Sequence, residues 1–394
     1  MHHTFDCRAP SGAAARRIAA PATARLLALV LTVGGAAVPA GAQVGVQPAT
    51  APSSGIWTGS IEESRQLVWA RMAEVGIPGL SVAVAVDGRT VWAEGFGMAD
   101  IENRVPVGPD TRFRIASISK SLTAAAVGLL VQEGRLDLDA PVQNYVPSFP
   151  LKSGEVTTRL AAGHLAGIRH YRGDEFASSE HYDDVVDALA IFQDDPLLHA
   201  PGSEYSYSTY GWNLVSAVVQ GASGRPFLRF MRERVLDPLG MEETVAEYVD
   251  SIIPGRARFY VRSSDDRVLN APFVDNSNKW AGGGYLSTAR DMVVYGSSYL
   301  DGTLLDPATV DLLWTPQHTT AGESTGYGIG WSSAVVDGVR NVWHTGGAMG
   351  GSTILLLLPD EGVAVAILTN LQSVRHVETA RAIARAFAAT SDPN

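Results

Sequence analysis

The first clear periodicity in the chain is helical. Apolar side chains recur on one face of the segment that begins near residue 61, at Ile61, Val68, Met72 and Val75. The segment is followed at once by Gly76-Ile77-Pro78-Gly79, a run of residues that end helices. The pattern therefore predicts an amphipathic helix at the start of the folded part of the chain.

Two pairs of apolar runs have the length and the turn chemistry of β-hairpins. The first pair, 80–86 and 90–96, is joined through Asp87-Gly88, which supplies the positive φ angles of a tight turn. The second pair, 352–358 and 363–369, is joined through a Pro-Asp-Glu-Gly turn. The sequence therefore predicts one antiparallel hairpin near each end of the chain.

The remaining pattern suggests how these elements combine. Residues 374–389 form an amphipathic stretch with alanines on its packed face, which predicts a last helix. The middle of the chain mixes helical patches with Pro- and Gly-marked loops and shows no repeat. We predict an α+β fold in which an antiparallel sheet is flanked by helices. Residues 59–135 and 286–394 would form the sheet-containing lobe and residues 136–285 an inserted, more helical lobe, with the active site between them.

The first 42 residues have the composition of a secretory signal. An apolar run over 26–38 and the small residues Ala40-Gly41-Ala42 follow four arginines, Arg8, Arg16, Arg17 and Arg25. The alternative is a membrane anchor, but a run of about 13 residues is too short to span a bilayer. The arginine pair leaves twin-arginine export open beside general secretion. We expect cleavage after Ala42, a periplasmic or secreted protein without a stable membrane span, and a flexible leader over 43–58.

Composition narrows the range of partners. The chain has 394 residues, 46% of them hydrophobic, and its single cysteine, Cys7, lies in the predicted signal, so we expect no disulfide or thiol chemistry. Loss of residues 1–42 takes the formal net charge from −11 to −14, which disfavours nucleic acid and anionic membranes. The nine histidines show no H-E-x-x-H spacing. We expect no metal and no cofactor, and a small-molecule or peptide substrate as the partner.

The main chemical signal is Ser117 at the start of a predicted helix that ends at Gly134. The structural alternative is that Ser117 only caps the helix, since serine is favoured there. Capping does not explain Lys120, because a lysine in the first turn opposes the helix dipole. Positions i and i+3 share a face, so the Lys120 amine can reach the Ser117 hydroxyl, and burial would make that amine a neutral base. The helix start also offers a backbone N–H to an oxyanion beside Ser117.

Two later segments extend this pair into a set of motifs. After Ser117-x-x-Lys120 come Tyr207-Ser208-Thr209, within 201–214, and His344-Thr345-Gly346-Gly347. Together they resemble the S-x-x-K, Y-x-N and K-T-G motifs of the serine β-lactamase and penicillin-binding protein family, in its class C and DD-peptidase-like branch. The run R-I-A-S-I-S-K-S-L-T at 114–123 looks in particular like the β-lactamase-like serine proteins related to the mitochondrial member. The resemblance covers about 61–369 and implies the β-lactamase/DD-peptidase fold.

The resemblance implies a role for each catalytic residue. Ser117 is the acylated nucleophile, Lys120 is its base, and Tyr207 is the phenol that helps to pass a proton to the leaving group. The N–H groups of Ser117 and Gly347 form the oxyanion hole. The structural alternative for Tyr207 is a core or rim aromatic among the neighbouring tyrosines.

Two positions depart from the family pattern where substrate is bound. Thr209 replaces the asparagine of Y-x-N, and a hydroxyl cannot offer the donor and the acceptor of an amide together. His344 replaces the lysine of K-T-G and, with Thr345 and Gly346, is expected to bind substrate. A histidine would recognise a carboxylate more weakly and in a pH-dependent way. The alternative for His344 is a buried histidine whose hydrogen bonds are satisfied.

These observations predict an exported serine hydrolase that acts by acyl transfer through acyl-Ser117 on amide, peptide or ester substrates, cell-wall peptides among them. Within enzymes, the alternative is a dedicated β-lactamase. Outside enzymes, it is a non-catalytic peptide- or peptidoglycan-binding protein, or an assembly-forming homologue. The other two lysines of the chain, Lys152 and Lys279, are expected to be solvated.

Overall fold

The structure is a computed structural model and describes residues 55–390. The predicted signal segment, 1–42, and most of the predicted leader lie outside the described residues. The α-helices are α1 (Thr58–Val75), α2 (Ile118–Gln132), α3 (Thr158–Ala162), α4 (Thr209–Ser223), α5 (Phe227–Met231), α6 (Trp280–Gly283), α7 (Ala289–Leu300), α8 (Pro307–Trp314) and α9 (Val377–Ala388). The strands are β1 (Gly79–Val86), β2 (Arg89–Asp100), β3 (Val105–Pro106), β4 (Phe113–Arg114), β5 (Val245–Ala246), β6 (Tyr260–Arg262), β7 (Val268–Asn270), β8 (Tyr285–Ser287), β9 (Ser332–Val336), β10 (Val339–Ala348), β11 (Gly351–Leu358) and β12 (Val363–Thr369).

An antiparallel sheet in the order β3-β2-β1-β12-β11-β10-β9 forms the scaffold. Strand β1 pairs with β2 on one side and with β12 on the other, so that Val82 lies opposite both Glu94 and Ile367. The predicted tight turn between β1 and β2 is present, with Asp87 and Gly88 at φ +47° and +76°. Hairpins from both ends of the chain thus join in one sheet, which confirms the predicted fold class. The lobe boundaries at residues 135 and 286 stay a prediction.

The two faces of the sheet differ in the size of their side chains. In β1, Leu80, Val82 and Val84 pack on the face covered by α1 and α9. The intervening Ala83 belongs to the opposite face, which α7 covers. A Cβ added at Gly296 of α7 would lie 2.6 Å from the Leu357 side chain, so this helix lies close to the sheet. The small residues that β1 presents on this face therefore let α7 pack close to the sheet.

Order begins earlier than the sequence predicts. Residues Gly55–Trp57 form a 3₁₀ turn and α1 starts at Thr58, so the end of the predicted leader is structured. The Trp57 side chain is buried and its ring stacks on Phe387 of α9, with 5.5 Å between the ring centroids. This contact between the two ends of the described chain explains the difference.

Helix α2 lies in the interior. Every residue from 118 to 130 is buried, because the helix is apolar on all sides and packs against α4, α6 and α8. Two of its polar side chains have partners in neighbouring segments: the hydroxyl of Ser121 donates to the Gly330 carbonyl and that of Thr123 donates to the Ala281 carbonyl. The helix ends at Gln132, and Gly134 has a φ of +66°, close to the predicted end. Lys120 is therefore a charged residue type on a helix without contact to water.

Candidate active site

Ser117 lies immediately before α2, in the wall of a cavity of about 360 Å³. Its backbone is helical, with φ −66° and ψ −8°, and among the described residues its side chain makes no capping hydrogen bond. Ala116 before it has a φ of +51°, a left-handed conformation that costs an alanine about 1–2 kcal/mol. The capping interpretation is therefore wrong, and the hydroxyl is available to Lys120.

Three oxygen atoms surround the amine of Lys120. Its Nζ lies 3.0 Å from Ser117 Oγ, 3.2 Å from Thr209 Oγ1 and 2.7 Å from the Gly282 carbonyl oxygen. Burial lowers the pKa of this amine well below its ordinary value, and the positive charge of Lys279 lowers it further. A neutral amine has two protons to donate and one lone pair. In this neutral form, the Thr209 hydroxyl and the Gly282 carbonyl accept hydrogen bonds from the two N–H groups, which leaves the lone pair for the Ser117 hydroxyl.

Tyr207 lies beside the same amine. The centroid of its ring is 5.0 Å from Lys120 Nζ and 4.2 Å from the centroid of the His164 ring. The His164 ring also holds the backbone next to Tyr207, since its Nδ1 accepts the N–H of Ser208 at 3.1 Å. Burial raises the pKa of the Tyr207 phenol well above its ordinary value, and a hydrogen bond with Ser117 opposes this only in part. Tyr207 is therefore protonated at neutral pH and lies in the cavity wall.

Thr209 is the first residue of α4, after the N-cap Ser208. Its N–H donates to His170 Nδ1 at 3.1 Å, and its hydroxyl accepts a hydrogen bond from Lys120 Nζ. A Cβ added at Gly282 would lie 2.5 Å from the Thr209 methyl group, so the glycine lets α6 approach α4 here. Thr209 lines the cavity, and its hydroxyl is also a partner of the Lys120 amine.

The last part of strand β10 contributes four residues to the cavity wall, His344, Thr345, Gly347 and Ala348. Thr345 and Gly347 are exposed and line it, and a Cβ added at Gly347 would meet no atom within 4 Å. Gly346 between them is buried and does not line it, contrary to the expected role in substrate binding. A Cβ at Gly346 would lie 2.3 Å from the Ile115 carbonyl oxygen and 2.2 Å from Thr353 Oγ1. Gly346 therefore sets the distance between β10 and the turn that carries Ser117.

His344 lines the cavity as a buried, neutral histidine. Its Nδ1 lies 2.6 Å from the Thr345 carbonyl oxygen and donates to it, so Nε2 accepts the hydroxyl proton of Tyr327 at 2.9 Å. Burial lowers the pKa of His344 to about 3, and Lys120 acts in the same direction when it is protonated. The expectation of pH-dependent carboxylate recognition by this residue is corrected, because its charge does not change near neutrality.

Lys279 is not solvated, contrary to expectation. It precedes α6, is 5% exposed and lines the cavity that contains Ser117. Its Nζ donates to the Phe176 carbonyl oxygen at 3.0 Å and lies 5.3 Å from the ring centroids of Tyr171 and Phe176. Lys152 is half-buried and its amine donates to the carbonyl oxygens of Gln193 and Asp195. The described cavity wall has one cation, Lys279, and no carboxylate.

A buried ion pair joins the parts of the chain around the cavity. Arg114 of β4 bonds the Glu247 carboxylate through Nε at 2.8 Å, and both side chains are almost fully buried. The same guanidinium donates to the Met349 carbonyl oxygen at 2.6 Å, just after β10. Asn276, in the cavity wall, donates to Glu247 at 2.6 Å. This network holds the end of β10 against the segment before α6.

The site also contains residues that the sequence analysis missed. Tyr327 bonds His344, His164 supports Tyr207, and His170 receives the Thr209 N–H. Their roles depend on contacts between distant segments, so no local pattern indicates them. For Lys279 the one local signal is its position three residues before the glycine run 282–284.

A metal site requires a cluster of ligand side chains, and a membrane-spanning helix requires a long apolar segment. Within residues 55–390, no group of three or more His, Cys, Asp or Glu side chains is arranged to hold a metal ion. In the same range, the helices are too short or too polar to cross a bilayer.

Comparisons with known proteins confirm the family that the sequence resembles. The model of the family described as Beta-lactamase matches residues 65–389. The chain is 36% identical to the mitochondrial serine beta-lactamase-like protein LACTB of Homo sapiens, over 85% of this chain and 81% of that protein. It is 29% identical to Unguisins hydrolase ungD' of Aspergillus campestris, over 75% of this chain and 58% of that protein.

Solved structures share the fold. The octameric penicillin-binding protein homologue from Pyrococcus abyssi superimposes with a TM-score of 0.71 at 25% identity, over 84% of this chain and 78% of that one. A D-stereospecific amidohydrolase from Streptomyces sp. gives a TM-score of 0.71 at 24% identity, over 84% of this chain and 99% of that one. The arrangement of sheet and helices is therefore one that recurs among solved structures.

Proposed function

Since this chain belongs to the beta-lactamase family of serine hydrolases, we propose that it is an active hydrolase of amide, peptide or ester bonds that works through an acyl-Ser117 intermediate. The observation that carries the proposal is the environment of Lys120. Two oxygen atoms accept the protons of the neutral amine, and the third neighbour is Ser117 Oγ at 3.0 Å. The lone pair of the base is thus directed at the proton it has to remove.

Acylation follows from this geometry. The Ser117 hydroxyl gives its proton to Lys120 Nζ while Oγ attacks the carbonyl carbon of the substrate. The negative charge that develops on the carbonyl oxygen is stabilised by the N–H groups of Ser117 and Gly347. The C–N or C–O bond then breaks, the leaving group takes the phenol proton of Tyr207, and Tyr207 is reprotonated by Lys120. Water hydrolyses the acyl-enzyme by the reverse use of the same groups.

The directions of the two pKa shifts assign the roles of base and acid. The lowered pKa of Lys120 favours a neutral amine, whereas the raised pKa of Tyr207 favours a neutral phenol. The amine is the group ready to accept a proton, and the phenol is the group ready to give one. This favours Lys120 over a Tyr207 phenolate as the base in acylation.

The alternatives are weaker. A dedicated β-lactamase must bind the carboxylate of the β-lactam, but His344, at the position of the K-T-G lysine, is uncharged near neutrality. A non-catalytic binding or assembly-forming homologue would not require the bonds of Lys120 or the strained φ of +51° at Ala116.

A labelling experiment tests the proposal. A fluorophosphonate should add its mass to the peptide that contains Ser117, and Ser117→Ala should abolish the label. The matched control is Ser119→Ala, two residues along the same helix, whose buried hydroxyl has no partner in the described structure and which should still be labelled. Label retained in Ser117→Ala would contradict the proposal. A wild type that binds a D-Ala-D-Ala peptide, takes no label and turns over no ester, amide, cephalosporin or aminoacyl amide would establish the non-catalytic alternative.

We also propose that the protein is exported, from the arginines and the apolar run of residues 1–42. The human relative carries the word mitochondrial in its name, and an arginine-rich N-terminus is also typical of mitochondrial import. The apolar run over 26–38, which contains no charged residue, favours secretion, because import segments are amphipathic. N-terminal sequencing of protein from the periplasm or medium should begin at Gln43. Protein found only inside the cell with its N-terminus intact would refute this.

A further inference from the structure

The least expected feature of the cavity is a buried cation without a counter-ion. Within residues 55–390, Lys279 makes no ion pair, and one of its three ammonium protons is taken by the Phe176 carbonyl. The aromatic rings of Tyr171 and Phe176 attract the charge without accepting its remaining protons. Burying an ammonium group without a partner is costly. The site therefore holds a positive charge that lacks a negatively charged partner among the described residues.

Nearby acidic residues are engaged elsewhere. Glu247 is bound by Arg114 and by Asn276, and Asp275 is bound by His181 at 2.8 Å and by the N–H of Ser277. The described cavity wall adds no carboxylate. The missing anion can therefore come from a bound molecule.

Two sets of rings divide the cavity. Tyr207, His164 and Tyr327 pack together, and Tyr327 bonds His344. Tyr171 and Phe176 form the other set, with Lys279. His170 stands between the sets, 4.2 Å from the Tyr171 centroid and 5.6 Å from that of Tyr207. If Tyr207 protonates the leaving group, the leaving group lies beside the first set of rings. The acyl group then extends toward the second set.

We infer that Lys279 is a specificity-determining residue that binds a carboxylate on the acyl part of the substrate. The inference rests on the proposed acyl transfer and names the substrate class of the same site. It separates this substrate from aminoacyl amides, whose free ammonium group would meet the Lys279 charge. It also places charge recognition away from His344, where the family pattern has its lysine.

A matched pair of esters tests the inference: p-nitrophenyl hydrogen adipate, whose acyl chain ends in a carboxylate, and p-nitrophenyl methyl adipate, which is uncharged there. The readout is the ratio of their kcat/KM values, because general damage to the pocket lowers both values together. A charge-assisted hydrogen bond of ordinary strength makes the wild-type ratio larger by about 10- to 100-fold than that of Lys279→Met. The control is Lys152→Met, which removes a lysine outside the cavity and should keep the wild-type ratio. Equal ratios in wild type and Lys279→Met would overturn the inference.

A charge on the leaving group tests whether Lys279 contacts the acyl part of the substrate. The ratio of kcat/KM for 3-carboxyphenyl butyrate to that for phenyl butyrate should be the same in wild type and Lys279→Met. A loss confined to this second pair would overturn the placement on the acyl side. Labelling of Ser117 with both ratios unaffected by Lys279→Met would refute the role of Lys279 alone, whereas an absence of both labelling and turnover would refute the proposed function.

The wild type provides a test that needs no variant. Burial, with the charge of Arg114, lowers the pKa of Lys279 to about 8, while Glu247 and Asp275 act in the other direction. Lys120, His170 and Tyr171 are the other titratable groups near it. The preference for the acidic ester should be full below pH 7 and should disappear as the pH rises through about 8, when the ammonium loses its charge. A preference that is constant from pH 6.5 to 9.5 would contradict the inference.

Discussion

Replacing Gly346 with alanine tests whether the spacing between β10 and the Ser117 turn controls catalysis. The added Cβ would lie 2.3 Å from the Ile115 carbonyl oxygen and 3.0 Å from the Ala116 Cβ, both in the turn before the nucleophile. Ordinary van der Waals contact begins at 3.4 Å, so the strand and the turn must separate by about 1 Å. The neighbouring oxygen is a backbone atom, so it cannot move without moving the turn.

The expected loss follows from that displacement. The proposed oxyanion donors are the N–H groups of Ser117 and Gly347, one on each side of the widened gap. A misplacement of 1 Å costs on the order of 100-fold in rate, and removal of one oxyanion donor costs about 10²–10³-fold. Gly346→Ala should therefore lower kcat/KM for a neutral ester by about 100-fold or more. Overpacking should also destabilise the fold by roughly 1–3 kcal/mol.

The assay pairs ester kinetics with thermal unfolding and the rate of fluorophosphonate labelling. Gly347→Ala serves as the stability control, because its Cβ would meet no atom within 4 Å and its melting temperature should match that of the wild type. Gly346→Ala should lose both stability and labelling rate. A variant that melts several degrees lower but is labelled and turns over ester at the wild-type rate would refute the spacing argument.

Two further predictions concern proton binding. Because the pKa of Lys120 is lowered, kcat/KM for a neutral ester should be at its maximum above that pKa and should fall as the pH drops through it. Lys120→Met should lose about 10²–10⁴-fold in activity, and its residual rate should not show this fall at low pH. If the variant shows the same fall, the fall is due to another group. Burial lowers the pKa of His376 to about 3, so the stability it contributes is present above its unfolded value near 6.5 and is lost as the pH falls from there toward 3. Denaturant unfolding of His376→Gln should therefore depend less steeply on pH between 6 and 4, by about 1.4 kcal/mol per pH unit, and an identical slope in the two proteins would contradict this.

Local patterns predicted the parts of the fold that depend on neighbours in sequence. Asp87-Gly88 marked the first hairpin, and the predicted strand over 363–369 matches β12. The short 3₁₀ segments and loops between α3 and α6 have no periodicity of their own, so the sequence could not delimit them. The start of α1 was missed because Trp57 is ordered by Phe387, which lies 330 residues away.

The candidate site divides in the same way. Ser117 and Lys120 are separated by one helical turn, so spacing alone placed the amine near the hydroxyl. The burial of Lys279 was not predictable from composition, because a lysine is normally solvated and only the assembled aromatic rings withdraw this one from water. The neutrality of His344 has the same cause, since its partner Tyr327 comes from outside β10. Residue types at motif positions thus indicate where chemistry occurs, whereas tertiary contacts decide their charge.

The pairing of β1 with β12 has a consequence for how the protein reaches its folded state. Strand β1 pairs with β2, which follows it directly in the chain, and with β12, which is synthesised about 280 residues later. A chain still being synthesised therefore exposes one edge of β1 until almost its full length is available, and such long-range closure is slow. Strand β10, which carries Gly347, joins the β1–β2 hairpin in one sheet only through β11 and β12. Truncation before residue 363 should leave an aggregation-prone edge, so the proposed active site can be complete only after β12 has been synthesised.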